Sequence, residues 1–453
     1  MNNNLFADFD TVSSKQWKQN IQFELKGADY NDTLVWKSNE AIHVKPFYHA
    51  DDFDKLPNIS NTKASQWHIC QTIFVADVKK SNQKALAISK SGADSIKFII
   101  PTSDISIDTL IADINLDKTV LFFELQYLSE AVVKQIKTLV PKAEIYLDII
   151  GQLSKSGNWY KSLNDDFKSF QSLFKITNSF SINSGIYQNA GANMVQQIAY
   201  TLAHANEYLN VLSNAKTNLK SANVIFNIAI GPNYFFEIAK LRALRKLWTS
   251  VAVAYQANTT CHIVATPTKR NKTLYDYNTN LMRSTTECMS AILGGANTIN
   301  NLPYDAIFNK SHAFSERIAR NQLLVLKHES HFDKVDNPAD GAYYIETITQ
   351  QLSEKALDLF KDIEKQGGFL SQLKTGTIQR KIKESALKEQ EQFNTGSEIL
   401  VGINKYANPK DKMKHVLELY PFVKTQTRKT LIEPIIEKRL SEQLEQNRLK
   451  DEN

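Results

Sequence analysis

The chain has 453 residues, of which 42% are hydrophobic and 23% charged, with a formal net charge of +6. This composition supplies apolar material for a large core and excludes a disordered or low-complexity chain. The charge is small for the length, and the densest basic run, Lys269-Arg270-Asn271-Lys272, is too short for a nucleic-acid-binding stripe.

In chain order, Ser14 is placed to cap a helix running to about residue 25, because a hydroxyl accepts from the free N–H groups of a first turn. Phe6 and Phe9 precede the cap; Trp17, Ile21 and Leu25 follow at helical spacing, and Lys26-Gly27-Ala28-Asp29 stops the helix. Residues 1–62 read as an arm whose apolar side chains must bury against the main domain or another chain. Residues 63–335 alternate short β-branched or aromatic runs with longer amphipathic stretches. The runs are 73–75, 96–100, 120–125, 145–150, 180–186, 224–230, 262–265 and 298–302. Strands that alternate with helices are parallel, since each crossover returns the chain in the same direction. Eight such units predict an α/β fold of (βα)8 TIM-barrel type. An open doubly wound sheet is the alternative, and the glycine-rich loop expected after its first strand is missing. Gly294-Gly295 reads as a helix C-cap before the eighth strand.

Residues 336–453 form a polar, helical extension with no flavodoxin-like domain. Asn337-Pro338-Ala339-Asp340-Gly341 is a turn, and a helix to about residue 366 ends at Gly367-Gly368. Residues 432–444 carry a further helical pattern, and Lys450-Asp451-Glu452-Asn453 is expected to fray. Cys70, Cys261 and Cys288 are odd in number and widely spaced, which predicts reduced thiols rather than a disulfide framework or zinc ribbon. No apolar run reaches the roughly 20 residues of a membrane span, and Met1-Asn2-Asn3-Asn4 opens nothing like a leader peptide. A soluble, cytoplasmic protein is expected, without nucleic-acid or membrane partners.

In a TIM barrel the chemistry collects at the C-terminal ends of the strands. There the sequence offers Asn183 and Gln188 after the fifth strand, Thr268 after the seventh, and Asn301 and Asp305 after the eighth. This mouth is rich in amides and hydroxyls and poor in histidine and carboxylate, so it reads as a residual pocket without an acid–base pair. Asp305 could act as a carboxylate at the mouth, but it reads first as an N-cap for the next helix. His328 and His331 share a helix face at i, i+3, but the spacing is not HExxH, and no metal site is expected.

One series of segments is more specific. Asn280-Leu281-Met282-Arg283 is followed by Leu293-Gly294-Gly295-Ala296, by Leu302-Pro303-Tyr304-Asp305, and by Phe314-Ser315-Glu316-Arg317-Ile318-Ala319-Arg320-Asn321-Gln322. Asp336-Asn337-Pro338-Ala339-Asp340-Gly341 and Glu346 come next, with 242–248 and Asn189-Ala190-Gly191-Ala192 upstream. In order and interval this series resembles the methylmalonyl-CoA mutase family, over about residues 14–395. The resemblance implies a barrel, an arm that wraps a partner subunit, and a place in propionate metabolism.

The departures from the family pattern concern the site. Read back from Ala190-Gly191, the family's catalytic histidine position is held by Ile186. The family's Tyr-Ala-Gly-Phe segment and its run of coenzyme A-binding arginines are missing. None of the nine histidines follows an aspartate by two residues, as in the family's Asp-x-His-x-x-Gly cobalt loop. The resemblance therefore implies the small, non-catalytic subunit of a heterodimeric mutase. The partner would be a large subunit that carries adenosylcobalamin and isomerises (R)-methylmalonyl-CoA to succinyl-CoA, while this chain would bind no cofactor alone and contribute no catalytic residue. Three other readings stay open: an independent barrel enzyme using Asn183, Gln188, Thr268 and Asp305, an assembly factor for the large subunit, and a catalytic mutase of the split type.

Overall fold

The computed structural model describes residues 8–55, 60, 62–424 and 426–452; Met1 to Asn4, Phe6 and Asn453, named above, lie outside them. The arm holds α1 (Ser14–Glu24), α2 (Tyr30–Leu34) and the antiparallel pair β1 (Trp36–Lys37) and β2 (His43–Val44). The cap of α1 is Ser13 rather than Ser14: its hydroxyl accepts from the Gln16 N–H, and the Gln16 side chain accepts from the Ser13 N–H in return.

The main domain begins with β3 (His68–Phe74), α3 (Val78–Lys90), β4 (Ser95–Ile100), α4 (Ile107–Ile111), β5 (Val120–Leu125) and α5 (Glu130–Leu139). It continues with β6 (Glu144–Tyr146), α6 (Ile149–Ser156), α7 (Leu163–Thr177), β7 (Ser179–Asn183), α8 (Gly185–Asn189) and α9 (Met194–Asn214). Then come β8 (Asn223–Ile230), α10 (Tyr234–Ala254), β9 (His262–Pro267), α11 (Thr279–Leu293), β10 (Thr298–Asn300) and α12 (Ala313–His328). The sheet has eight strands in the order β6-β5-β4-β3-β10-β9-β8-β7, and every ladder between neighbours is parallel. With β10 paired to β3 and helices outside, this is the (βα)8 barrel that the alternating sequence predicts. Three of the predicted runs, 145–150, 180–186 and 298–302, extend past their strands, which end at Tyr146, Asn183 and Asn300. Residues 149–150 already belong to α6 because Asp148 caps it, and Ile186 lies in the short helix α8.

The two ends of the sheet, β6 and β7, meet at a seam that Asp148 holds. Ser181 N–H donates to the Leu147 carbonyl at 3.1 Å, and Asn183 N–H donates to Asp148 Oδ2 at 2.7 Å. Asp148 Oδ1 accepts from Gly151 N–H at 2.7 Å and from the Tyr208 hydroxyl at 2.7 Å, with His204 Nε2 at 2.9 Å. Tyr208 also accepts from Ile150 N–H, and the Tyr187 hydroxyl meets His204 Nδ1 at 2.9 Å. One carboxylate thus joins β7, α6 and α9. Inside the barrel Cys70, Phe122, Tyr146, Ile225 and Val264 pack into a plug across the axis. A filled axis is the usual barrel solution, because layers of inward side chains replace a pore.

The extension comprises α13 (Tyr343–Lys365), α14 (Phe369–Lys374), α15 (Thr377–Thr395) and α16 (Glu442–Asp451). Asn337 (φ 52°) and Gly341 (φ 79°) make the predicted turn, and Gly367-Gly368 ends α13 as expected. Gly191 (φ 102°) sits so close to Ala386 of α15 that a Cβ there would come within 2.5 Å of it. The pattern at 432–444 is helical only from Glu442. Before that the chain lies along the barrel loops, where Ile435 N–H donates to Ser154 O, Lys438 N–H to Asn189 O and Leu440 N–H to Arg270 O. Nor does the tail fray at Glu452. Its buried carboxylate accepts from the Tyr275 hydroxyl at 2.5 Å and from the Met413 and Lys414 N–H groups. No helix among the described residues is long and apolar enough to cross a membrane.

Burial alone would raise the Asp148 pKa, but facing His204 and the N–H and O–H donors hold it below the ordinary value of 3.8. Its contribution to stability is therefore present above about pH 4 and is lost as the pH falls through the depressed folded value. Asp148→Ala is expected to cost about 3–5 kcal/mol in urea unfolding at neutral pH, with the gap to wild type closing in acid. A change under about 1 kcal/mol would show that the seam does not depend on this group.

Candidate functional site

A cavity of about 630 Å³ opens at the C-terminal mouth of the barrel, above the plug. Strand alternation decides what faces it. In β4, Ile96, Phe98 and Ile100 are fully buried under the helices, which leaves Lys97 and Ile99 toward the axis. In β5, Leu121, Phe123 and Leu125 join the outer core, which turns Phe122 and Glu124 inward. Lys97 Nζ lies 2.5 Å from Glu124 Oε2 and 4.6 Å from the centre of the Tyr146 ring. Enclosure alone would push the Glu124 carboxyl up; the Lys97 charge and hydrogen bond outweigh it and hold the group below its usual range. Lys155 of α6 adds a second positive charge that acts on Glu124.

The mouth is therefore not poor in charge, contrary to the reading of its loops. Lys97, Glu124 and Asp148 come from strand interiors and strand ends rather than from the loops. A lysine inside Ser-Ile-Lys-Phe-Ile-Ile and a glutamate inside Val-Leu-Phe-Phe-Glu-Leu were the available signals, since alternation with buried Ile and Phe sends both to the axis. Asp148 is not free to react, because the seam takes up its acceptor sites. Cys70 lines the cavity too, but burial pushes its thiol up to about 12, so it offers no thiolate.

The five polar residues expected at the mouth do not converge on one place. Asn183 and Asn301 line the mouth cavity. The Asn301 side chain is spent within the protein, donating to Ala319 O at 2.9 Å and Gln322 Oε1 at 3.0 Å. Gln188 and Thr268 line a second cavity of about 530 Å³, bounded by β1, the loops after β7 to β9 and residues 398–401. There Thr268 donates to Asn189 Oδ1 at 2.8 Å, and Gln188 lies over the buried Lys240, itself 2.5 Å from Glu237. Asp305 lines neither cavity; it is 2% exposed and bonds His312 Nε2 at 2.6 Å and Asn309 Nδ2 at 3.1 Å. Ile186 lines the mouth and is 2% exposed. His328 ends α12 and His331 stands in the turn beyond, at φ 57°. Among the described residues no group of three or more His, Cys, Asp or Glu is placed to hold a metal ion.

The segments that carry the family resemblance serve as framework. Arg242 on α10 reaches Asp340 at 2.9 Å and Glu346 at 2.6 Å, which clamps α13 to the barrel. Gln322 on α12 donates to Leu281 O and to Thr285 Oγ1 on α11, while Asn280 donates to Thr273 O and Tyr304 O.

The methylmalonyl-CoA mutase family matches residues 98–451. Over 442 residues the chain is 36% identical to the methylmalonyl-CoA mutase small subunit of Porphyromonas gingivalis, covering 89% of this chain and 71% of that protein. It is 28% identical over 470 residues to the methylmalonyl-CoA mutase of Cereibacter sphaeroides, spanning 89% of this chain but 65% of that protein. With the mitochondrial methylmalonyl-CoA mutase of Homo sapiens the identity is 26% over 471 residues, covering 89% of this chain and 62% of that protein. The chain thus spans under two thirds of the length of these last two relatives. By the extent of these matches the chain belongs to the methylmalonyl-CoA mutase family.

Proposed function

We propose that this chain is the non-catalytic small subunit of a heterodimeric, adenosylcobalamin-dependent methylmalonyl-CoA mutase. The observation that carries the reading is Ile186: at the family's histidine position the mouth presents a buried aliphatic side chain, which can neither donate a hydrogen bond to a thioester carbonyl nor move a proton. The small-subunit relative at 36% identity supports it. Isomerisation of (R)-methylmalonyl-CoA to succinyl-CoA is then assigned to the large subunit, and this chain supplies structure to the complex.

The residues present do not fit a cobalamin held by this chain. No histidine lines the mouth cavity among the described residues, and His204, which meets the cavity-lining Asp148, is fully buried between Asp148, Tyr187 and Phe369. The radical chemistry such a cofactor supplies is accordingly assigned to the partner.

The arm, residues 1–62, is proposed as the partner contact. Helix α1 has no buried residue, and Trp17 is 51% and Phe23 84% exposed, with Leu25 half-buried beside them. Large aromatic side chains left in water on one short helix mark an interaction surface. In the complex the residues 63–335 would keep barrel shape and interface, with residues 336–453 braced on them.

Light-scattering chromatography of this chain alone and mixed with its large subunit, with each peak assayed for mutase activity, tests the proposal. The expected result is a one-to-one complex that carries all the activity, and none from this chain alone. Turnover by the isolated chain, or the absence of a complex, would overturn it. Replacing both Trp17 and Phe23 by Ala should leave the melting temperature of this chain unchanged and weaken the complex by about 2 kcal/mol or more. An unchanged affinity would move the contact elsewhere.

A further inference from the structure

The mouth cavity holds polar groups that the fold does not use. The side chains of Gln126, Gln152, Asn183 and Asn227 line it and make no hydrogen bond among the described residues. Tyr146 lines it as well, and its buried hydroxyl has no partner. Gln126 is exposed and Gln152, Asn183 and Asn227 are partly exposed, so all four amides face the cavity and are open to polar groups from outside.

Charge narrows the class. Of the carboxylates that line the cavity, Glu124 is paired with Lys97 and Glu437 faces Lys269 at 3.7 Å. Glu316 is paired with Lys84, and Asp148 is spent on the seam and faces His204. Arg320 is engaged by Ser91 O and Gln71 Oε1. Lys155 remains. It is exposed at the last turn of α6, lines the cavity, and makes no hydrogen bond or ion-pair contact among the described residues. One uncommitted ammonium invites one negative charge. The plug beneath closes the axis to a long ligand, so the guest is compact.

We propose that the barrel mouth of this chain binds a small organic monocarboxylate bearing hydroxyl or carbonyl groups. Lys155 takes the carboxylate, and Gln126, Gln152, Asn183 and Asn227 read the other oxygens. Amides suit this task because each can both donate and accept, so one set of side chains serves hydroxyl and carbonyl alike. The site is distinct from the mutase chemistry assigned to the partner, and binding here needs neither the large subunit nor a cofactor.

Isothermal calorimetry on the full chain tests this, with hydroxy- and oxo-monocarboxylates of about three to six carbons, each set against the neutral alcohol of the same length. Gluconate against sorbitol is one such pair. The expected result is that at least one acid binds about tenfold or more tighter than its neutral counterpart. Lys155→Met should reduce that acid to the level of the alcohol, and Asn227→Leu should weaken both. Thermal unfolding without ligand checks that the variants fold; Lys155→Met keeps the aliphatic stem and suits a helix. The proposal is overturned if no acid binds at about 10 mM, if acid and alcohol bind alike, or if Lys155→Met binds the acid as wild type does. Since the readout is binding to this chain alone, failure here leaves the subunit reading untouched, and failure of that reading leaves this site to be judged on its own.

Discussion

A closed barrel needs its first and last sheet edges to meet, and in this protein that junction falls between a three-residue strand, β6, and a strand reached only after two helices. Backbone pairing across such a short strand is sparse. The carboxylate of Asp148 makes up the deficit by accepting from a β7 amide, from the first turn of α6 and from the Tyr208 hydroxyl of α9. Charge-assisted hydrogen bonds of this kind are stronger than neutral ones, and in an enclosed site little solvent competes for them. The position of α6, and so of Lys155, follows from this junction, as does the register that sets Asn183 beside the cavity. An aspartate at the end of a barrel strand usually invites a catalytic reading; here its acceptor capacity belongs to the fold.

Framework and cavity draw on different residues of this barrel. The residues by which the chain is assigned to its family tie helices together: Arg242 to Asp340 and Glu346, Gln322 to α11, Asn280 to the loops around it. These are charged and amide groups whose loss would leave buried partners unpaired, a cost of about 1–3 kcal/mol each. Site residues carry no such structural charge. Ile186 lines the mouth at 2% exposure and fills its space with apolar surface.

The extension is likewise bound to the barrel more tightly than its polar composition implies. Arg270 bonds Glu389 at 2.5 Å and Lys438 O at 2.8 Å, Arg439 pairs with Glu445 at 2.6 Å, and the Glu452 carboxylate is held by Tyr275. The arm is the opposite case. Its first helix has no buried residue and leaves Trp17 and Phe23 largely exposed.

Local chemistry made much of this fold legible from sequence. The Gly294-Gly295 and Gly367-Gly368 stops and the Asn337–Gly341 turn depend on dihedral preferences that act over a few residues and stand where the sequence placed them, and all eight strands form, three of them shorter than their runs. The family was legible too, through segments read in order. What the sequence could not settle was convergence. Gln188 and Thr268 turn to one cavity, Asn183 and Asn301 to another, and Asp305 to neither, because direction at the end of a strand depends on how the closed sheet sets each loop. The capture of Glu452 by Tyr275 joins residues 177 positions apart, beyond the reach of any local signal. Strand alternation did carry Lys97 and Glu124 to the axis, but that they meet is a diagonal contact across β4 and β5, fixed only when the two strands pair in register. The sequence by itself determined the elements, their order and the barrel; the tertiary structure alone decided which polar groups were spent on holding it shut and which were left facing the cavity.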